Sequence, residues 1–349
     1  MIEIRLARSP GERRVALLRD GELDGYRLER PFRPDGVGDI VSGRIVSAMP
    51  ALAGAFVALP QGETGFLPEG DTEGRRLPPE GTYLTLRVTR AAQGGKGKRV
   101  TARIPQDSAI EPGPDAALRW ALAHPQAEVI ADDAAEVARL RRALAGSSRV
   151  RQGQAFDEAV EDEVERLHRP DWELPGGGRL IFSPLPALTA IDVDSGGADP
   201  REVNRIAIAE FARQLRLRDL AGPILVDLAG LSVKQRTALE PELKAALAAD
   251  KLTQLLGIGP LGLFEMRRAR IHPPLHELLE DRALSRGLVL LRKAFREAAV
   301  APSRRLALCA PPAVLAALEA MPEALAEFAA GAGRAIDLRS ADSEDVTDA

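Results

Sequence analysis

The sequence predicts a mixed α/β protein that carries a small β-barrel near its N-terminus. Short strand-like runs separated by glycine and proline occupy residues 37–104, and helical and strand-like patterns alternate after residue 105. Such alternation is typical of a mostly parallel sheet covered by helices. Two apolar runs in this second part, residues 187–193 and 223–228, each contain aspartate. We therefore expect a barrel inserted into an α/β core, followed by a small C-terminal α/β region.

Residues 1–36 resemble short strands, and the Asp20-Gly21 pair predicts a hairpin turn between two of them. We assign these strands to the core. Residues 37–104 contain short runs without helical periodicity, which favours a small closed barrel. Those runs are Asp39–Val46, Gly54–Val57, Thr64–Leu67 and Tyr83–Val88.

Residues 105–280 are assigned to the core and begin with a proline-rich linker over residues 105–114. Helices are predicted over residues 115–124, 134–145 and 156–167, and strands over 128–131 and 188–193. Asp199 suits the N-cap of the next helix, residues 200–218, and Pro200 its first position. That helix carries an apolar stripe of Val203, Ala207, Phe211 and Leu215. A strand over residues 224–228, a helix from Ser232 to about residue 249 and a strand over 253–257 complete the pattern.

Residues 281–349 are expected to form the C-terminal α/β region. Helices are predicted over residues 288–299 and 312–319, together with one or two strands. The tail over residues 340–349 is acidic and polar, so we expect it to be disordered.

Composition narrows the classes of function. No apolar run is long enough to cross a bilayer and the first residues lack the form of a secretory signal, so we expect a cytoplasmic protein. A single cysteine, Cys309, excludes an intrachain disulfide framework and a cysteine-based zinc site within one chain. The net charge of −4 will not attract nucleic acid to the protein as a whole, so binding requires local basic clusters. Arginines do cluster, at positions 213, 216, 218, 267, 268 and 270.

Asp192 and Asp227 each lie near the C-terminal end of a predicted buried strand, where a charge is costly unless it is paired or bound to a metal. In a right-handed strand–helix–strand unit the two strands run parallel and are usually neighbours. Both carboxylates then lie at the sheet edge where α/β proteins usually place their sites.

Asp194 follows Asp192 by two residues, so strand alternation predicts that it points the same way. Three carboxylates at one edge form an oxygen cage suited to Mg²⁺ or Mn²⁺, and such a metal supports phosphodiester hydrolysis. The alternative is that these aspartates cap helices or turns, which we accept for Asp199. Capping is less natural for Asp227, which lies between Val226 and Leu228.

At this point the sequence resembles the ribonuclease E/G family. Residues 187–195 are similar to the first metal motif of that family, residues 210–222 to the following helix and residues 224–228 to the second metal strand. Residues 262–270 are similar to a basic segment near its catalytic centre. In the barrel, residues 55–57, 65–68 and 95–97 resemble the inserted S1 RNA-binding domain.

The resemblance implies an RNase H-like catalytic core with an inserted S1/OB-type barrel. It implies endonucleolytic cleavage of single-stranded RNA that leaves a 5′-phosphate, with Mg²⁺ (Mn²⁺ as an alternative) held by Asp192 and Asp227 and, in our interpretation, Asp194. It also implies RNA contacts on the barrel by Phe56, Phe66 and Lys96. The basic segment adds Arg267, Arg268 and Arg270 as predicted RNA-binding residues. Barrel core is the alternative for the two phenylalanines.

Three departures from the family pattern affect these expectations. The family usually has asparagine where this chain has Asp194, which makes the site more negative. In the family a Cys-x-x-Cys zinc link follows the basic segment and joins two protomers, but residues 271–278 contain no cysteine. We therefore expect no zinc, and we expect that a homo-oligomer, if one forms, is not mediated by zinc. The family's sensor for a 5′-monophosphate has no counterpart between the barrel and Asp115, so we expect little preference for 5′-monophosphorylated RNA.

Two other functions remain open from the sequence. One is a non-catalytic RNA-binding relative that kept the barrel and sheet but lost efficient cleavage. The other is an unrelated metal phosphohydrolase acting on small nucleotides, which accounts for the aspartates but leaves the barrel unexplained.

Overall fold

Three open sheets, one closed barrel and ten α-helices make up the computed structural model, which describes residues 1–349. The mixed α/β class with a closed barrel is confirmed. No helix combines the length and the apolar character needed to cross a bilayer.

The first sheet contains the N-terminal strands. The predicted hairpin is present, with Asp20 at φ 53° and Gly21 at φ 88°, the positive values that a tight hairpin turn favours. The strand order is β10-β9-β1-β2-β3, in which β1 to β3 run antiparallel and β9 is parallel to β1 and to β10. These strands are β1 (Ile2–Ser9), β2 (Glu12–Arg19), β3 (Glu22–Glu29), β9 (Glu128–Ala131) and β10 (Val150–Gln152).

The barrel lies between β3 and β9 in the chain. Its closed order is β4-β5-β6-β8-β7, around seven buried residues that include Val57, Leu67 and Leu86. Its strands are β4 (Ile40–Met49), β5 (Gly54–Ala58), β6 (Thr64–Pro68), β7 (Tyr83–Arg90) and β8 (Lys98–Thr101).

The second sheet has six strands in the order β11-β12-β13-β14-β16-β15. Its strands are β11 (Asp171–Glu173), β12 (Arg179–Pro184), β13 (Thr189–Asp194), β14 (Gly222–Asp227), β15 (Thr253–Ile258) and β16 (Phe264–Arg268). The helices before the C-terminal region are α1 (Ala116–Ala123), α2 (Ala134–Ala143), α3 (Glu158–Arg166), α4 (Pro200–Leu217), α5 (Val233–Ala238), α6 (Glu240–Leu247) and α7 (Leu275–Leu278).

Two apolar cores hold the first two sheets. Ile4, Leu6 and Val15 of the first sheet pack against α1 and α2. The opposite face, with Leu18 and Tyr26, joins a 34-residue core that also contains α3, α4 and the inner face of the second sheet. The two sheets therefore share a core.

The C-terminal region forms a third, three-stranded sheet in the order β18-β17-β19 with its own 15-residue core. Ion pairs such as Arg292–Glu12 and Arg8–Glu327 tie it to the first sheet. Its elements are α8 (Arg282–Val300), β17 (Leu306–Ala310), α9 (Pro312–Glu319), α10 (Pro322–Ala332), β18 (Asp337–Ser340) and β19 (Asp345–Asp348).

One sequence-based expectation about the core is wrong. The second sheet is not mostly parallel, since β13 and β14 are its parallel pair and the other pairings are antiparallel. The short links Leu185–Leu188 and Gly259–Leu263 leave no room for crossover helices, so hairpins form there. In addition, β1 to β3 pair with β9, not with the strands that carry Asp192 and Asp227. The expected single core is thus built on two sheets.

The structure differs from the sequence-based prediction in the helix that begins after Ser232 and in the C-terminal tail. The helix that Ser232 caps breaks into α5 and α6 near Pro241. The tail is not disordered, because β19 pairs antiparallel with β17, and Val346 is buried there. The acidic side chains of the tail face basic partners, in the pairs Lys293–Asp345, Arg304–Asp348 and Arg286–Glu344.

Arg268 anchors β16 through buried ion pairs. Its Nη1 lies 2.6 Å from Asp219 Oδ1 and its Nε lies 2.7 Å from Asp250 Oδ2, and Nη1 also donates to the Leu220 carbonyl. Burial alone raises the pKa of Asp250, but Arg268 holds it below its usual value. Asp250 therefore stabilises the fold at neutral pH, and that contribution is lost as the pH falls through its folded pKa.

We predict that Arg268→Met lowers the free energy of unfolding by about 3–5 kcal/mol, because it removes the buried guanidinium that two buried carboxylates share and leaves Asp250 without a cationic partner. The measurement is denaturant unfolding. The matched control is Arg267→Met on the same strand, an exposed residue whose change should cost less than about 0.5 kcal/mol. The difference in unfolding free energy should narrow as the pH falls through the folded pKa of Asp250, which lies below its usual value. Equal losses in the two variants would contradict the assigned role.

Candidate active site at the edge of the second sheet

The parallel pair β13 and β14 brings Asp192 and Asp227 together. The helix α4 connects the two strands, and Asp192 is the register partner of Asp227 at their C-terminal ends. The residues that alternate with them, Ile191 and Val226, are buried against the core, so the aspartates lie on the exposed face. The juxtaposition expected from the sequence is present.

Asp192 is the less compensated of the two carboxylates. Partial burial raises its pKa, and the neighbouring charges of Asp227 and Asp194 raise it further, while Arg179 offsets part of this effect. A cation that approaches this carboxylate would stabilise its charged form, because an opposite charge nearby offsets burial and the repulsion from the other aspartates.

Asp227 is held by Arg236. The Nη1 of Arg236 lies 2.7 Å from Asp227 Oδ1. The same guanidinium donates to the carbonyls of Gly262, Leu228 and Leu231, at 2.8, 2.7 and 3.1 Å. Arg236 thus fixes the orientation of Asp227 and ties the end of β14 to α5 and to the turn before β16.

Asp194 does not join the other two as a third member of a cage. Its carboxylate accepts the N–H of Gly196 at 3.0 Å and pairs with Arg179 at 3.0 Å. These contacts, the Gly196 bond first and then Arg179, hold the pKa of Asp194 below its usual value. The structure contains no group of three or more His, Cys, Asp or Glu side chains placed to hold a metal ion. Asp194 instead closes the turn that follows β13.

Sequence reasoning missed Asn204, which positions the loop after Asp227. The residue is fully buried on α4, where its amide donates to the carbonyls of Pro200 and Ala229 and accepts the N–H of Ala229. Its signal was a polar residue beside Val203 on the apolar stripe. Asp199 caps α4 as expected, accepting from Arg201 N at 3.0 Å.

The basic segment differs from the expectation in two ways. Arg268 is buried in its ion pairs, so it is not available to RNA. Because β16 runs antiparallel to β14, Arg267 lies opposite Pro223, at the far end of the strand from Asp227. Arg267 is exposed, and Arg270 forms a bidentate pair with Glu277 at 2.5 and 2.7 Å.

The two barrel phenylalanines lie on the outside of the barrel, not in its core. Phe56 is 42% exposed and is the register partner of Phe66, and the ring centroids lie 5.8 Å apart in an edge-to-face arrangement. The edge of the Phe66 ring covers Gly54, where any side chain would collide with it. Lys96 is exposed beside Gly94 and Gly95, which both adopt positive φ. The three residues are accessible to a ligand.

Comparison with known proteins relates the segment that carries the two aspartates to one protein family. Residues 116–271, which contain Asp192, Asp227 and Arg236, match the model of the ribonuclease E/G family. The chain is 38% identical over 128 residues to ribonuclease E of Escherichia coli (strain K12) and 40% identical over 128 residues to ribonuclease E of Nostoc sp.. It is 33% identical over 130 residues to ribonuclease G of Salmonella typhimurium.

The similarity to these ribonuclease E/G proteins is partial on both sides. Each alignment covers 34% of this chain. It covers 12%, 19% and 27% of the length of the three relatives, respectively.

Within residues 116–271, Arg236 and Arg179 make different contributions to stability. We predict that Arg236→Met lowers the free energy of unfolding by about 1.5–3 kcal/mol, since it leaves Asp227 and three carbonyls without their charged donor. Arg179→Met removes an exposed ion pair and should cost less than about 1 kcal/mol. Chemical denaturation of both variants measures the difference. A smaller loss of unfolding free energy for Arg236→Met than for Arg179→Met would contradict the assigned role of Arg236.

Proposed function

We propose that this protein is a metal-dependent endoribonuclease that hydrolyses phosphodiester bonds in single-stranded RNA and leaves a 5′-phosphate. The observation that carries the proposal is the register pairing of Asp192 with Asp227 at one sheet edge, within the segment that matches the ribonuclease E/G family model. A barrel with two outward phenylalanines supports RNA as the substrate class.

The donor set at the edge fits Mg²⁺, with Mn²⁺ as the alternative. Mg²⁺ is commonly bound by one or two carboxylates, with waters and substrate phosphates as the other ligands, so a third protein carboxylate is not required. Asp192 carries a raised pKa among like charges, which is the environment that a divalent cation relieves. Cysteine and histidine ligands, which zinc prefers, are not part of this set.

Asp192 and Asp227 would hold the metal, and Arg236 would keep the Asp227 carboxylate in place. When bound, such a metal supplies a polarised phosphoryl oxygen and an activated water. Asp192 has no arginine of its own to displace, whereas Asp227 is already oriented by a guanidinium whose other donors are satisfied by backbone carbonyls. The two aspartates would therefore have different roles: Asp227 is held in a fixed orientation by Arg236, and Asp192 is free to bind the cation.

The barrel surface supports binding of single strands. Small barrels of this type bind RNA by stacking bases on exposed aromatic rings and by contacts from cationic side chains to phosphates. Phe56 and Phe66 provide the adjacent rings, and Lys96 and Arg267 provide exposed charges. We include Lys96 and Arg267 in the RNA-binding surface.

We predict that Asp192→Asn and Asp227→Asn each lower the rate of Mg²⁺-dependent cleavage of a single-stranded oligoribonucleotide on the order of a hundredfold or more, since each removes charge that binds the metal. Asp194→Asn is the matched control and should change the rate less than about tenfold, because Asp194 serves the turn. Gel analysis of end-labelled RNA measures the rates and the product ends. Unchanged cleavage in the first two variants would reject the site. RNA binding without cleavage in any divalent metal would favour the non-catalytic relative.

We also predict that Phe56→Ala and Phe66→Ala each weaken RNA binding by about 1–3 kcal/mol, as expected for loss of one stacked base. Tyr83→Ala is the control, since Tyr83 is a 70% exposed aromatic residue on β7 that does not adjoin the phenylalanine pair. Fluorescence anisotropy gives the affinities. Equal losses of RNA affinity in the three variants would contradict a specific stacking role for Phe56 and Phe66.

A further inference from the structure

Three arginines meet where the barrel contacts the second sheet. Arg90 ends β7, Arg99 is its register partner on β8, and Arg270 follows β16. The backbone N–H of Ala91 donates a hydrogen bond of 2.9 Å to the carbonyl of Ile271. Arg90 precedes Ala91 and Arg270 precedes Ile271, so this hydrogen bond brings the two arginines close together.

The cluster lacks an anion for Arg90. Arg99 forms an ion pair with Asp71 at 3.2 Å, and Arg270 forms one with Glu277. The Nε atoms of Arg90 and Arg270 are both buried and have no hydrogen-bond partner. Burial lowers the pKa of Arg90, and the like charges of Arg99 and Arg270 lower it further. A guanidinium among cations with unused donors is stabilised by an anion that reaches it.

The cluster continues the aromatic surface of the barrel. Phe66 is the register partner of Arg99, so Phe66, Arg99 and Arg90 lie in one row across β6, β8 and β7. Adjacent strands are about 4.8 Å apart, which puts the backbone of Arg90 about 10 Å from that of Phe66. A strand of RNA stacked on the phenylalanines therefore passes close to Arg90.

The cluster is separated from the aspartates. Arg268 is the register partner of Gly222, so Arg270 lies beyond the N-terminal end of β14, whereas Asp227 is at its C-terminal end. At about 3.3 Å per residue, the separation along the sheet is about 23 Å. A ligand that touches both places must span several nucleotides.

We propose that Arg90, Arg99 and Arg270 form a phosphate-binding site for the RNA backbone at the junction of barrel and sheet, remote from the bond that is cleaved. This inference rests on the proposed function for its ligand, a phosphodiester group of single-stranded RNA. The site holds the chain that leaves the aromatic pair, and so it selects RNA long enough to reach the aspartates from the barrel.

The test is RNA binding by fluorescence anisotropy in EDTA, where no cleavage occurs. One probe is an oligoribonucleotide of about four nucleotides, the lower limit for one barrel, and the other is about 20 nucleotides, longer than one barrel binds. Arg90→Gln should weaken binding of the long probe on the order of tenfold and weaken binding of the short probe clearly less, because the short probe covers less of the path beyond the phenylalanines. It should also reduce the slope of log affinity against log salt by about 0.7.

Two variants and one control separate a phosphate contact from a structural effect. Arg90→Lys should keep the salt slope, because the charge remains. Glu277→Gln should tighten binding of the long probe, because it removes the anion that occupies Arg270, and a folding defect would not raise affinity. Arg87→Gln, on the same barrel strand, should bind both probes as the wild type does.

The results distinguish this inference from the proposed function. If the wild type binds neither probe, RNA is not the ligand and both proposals fail. If the wild type binds the long probe and Arg90→Gln binds it equally well, the junction site alone is wrong. Equal losses for the short and long probes would also overturn it, since Arg90 would then act only within the barrel.

Discussion

The parallel pairing of β13 with β14 is the constraint on which the candidate site depends. The helix α4 connects the two strands and its apolar stripe belongs to the same core as both, and in the resulting parallel pair residues 192 and 227 are register partners. Two carboxylates placed side by side repel each other, and the fold accepts this cost because both lie on the exposed face. Arg236 neutralises Asp227, whereas Arg179 offsets only part of the repulsion at Asp192. The repulsion that remains is what a cation removes.

Arginine is used in two distinct ways in this chain. Most of the clustered arginines seen in the sequence are satisfied internally. Arg213 pairs with Glu163 and Glu210, Arg216 pairs with Asp24, and Arg268 pairs with Asp219 and Asp250. A guanidinium presents five donors in a rigid fork, so one residue can join several elements. Because these arginines are already paired with carboxylates, their charges are not available to a ligand. Arg90 differs from them because it has no carboxylate partner.

Much of the architecture could be predicted from local signals. The Asp20-Gly21 hairpin, the capping by Asp199 and the burial of alternate residues in β13 and β14 depend on short-range chemistry that the sequence displays. The antiparallel strands β12 and β16 were not predicted, because whether a strand pairs through a hairpin or a crossover depends on distant partners. For the same reason β19 was not predicted, since its acidic residues become favourable only beside Lys293 and Arg304.

The site residues follow the same rule. Asp192 and Asp227 could be found because a charge in an apolar strand is visible in one dimension. The roles of Asp194, Arg236 and Arg268 could not be read from the sequence, since each is defined by a partner elsewhere in space: the Gly196 amide and Arg179, the Asp227 carboxylate, and Asp219 with Asp250. Spacing identifies a candidate ligand, but only the surrounding contacts show whether its charge is already used.

The separation between barrel and aspartates has a consequence for how substrate is selected. The barrel meets the second sheet through the Ala91–Ile271 bond, at the end of β14 opposite to Asp227. Under the proposed function, stacking of bases on Phe56 and Phe66 would tolerate many sequences, because every base has an aromatic face. If binding occurs at one end of the sheet and chemistry at the other, a short fragment can satisfy the barrel without reaching the aspartates. Length and flexibility of the single strand, more than base identity, are then the properties that this arrangement discriminates.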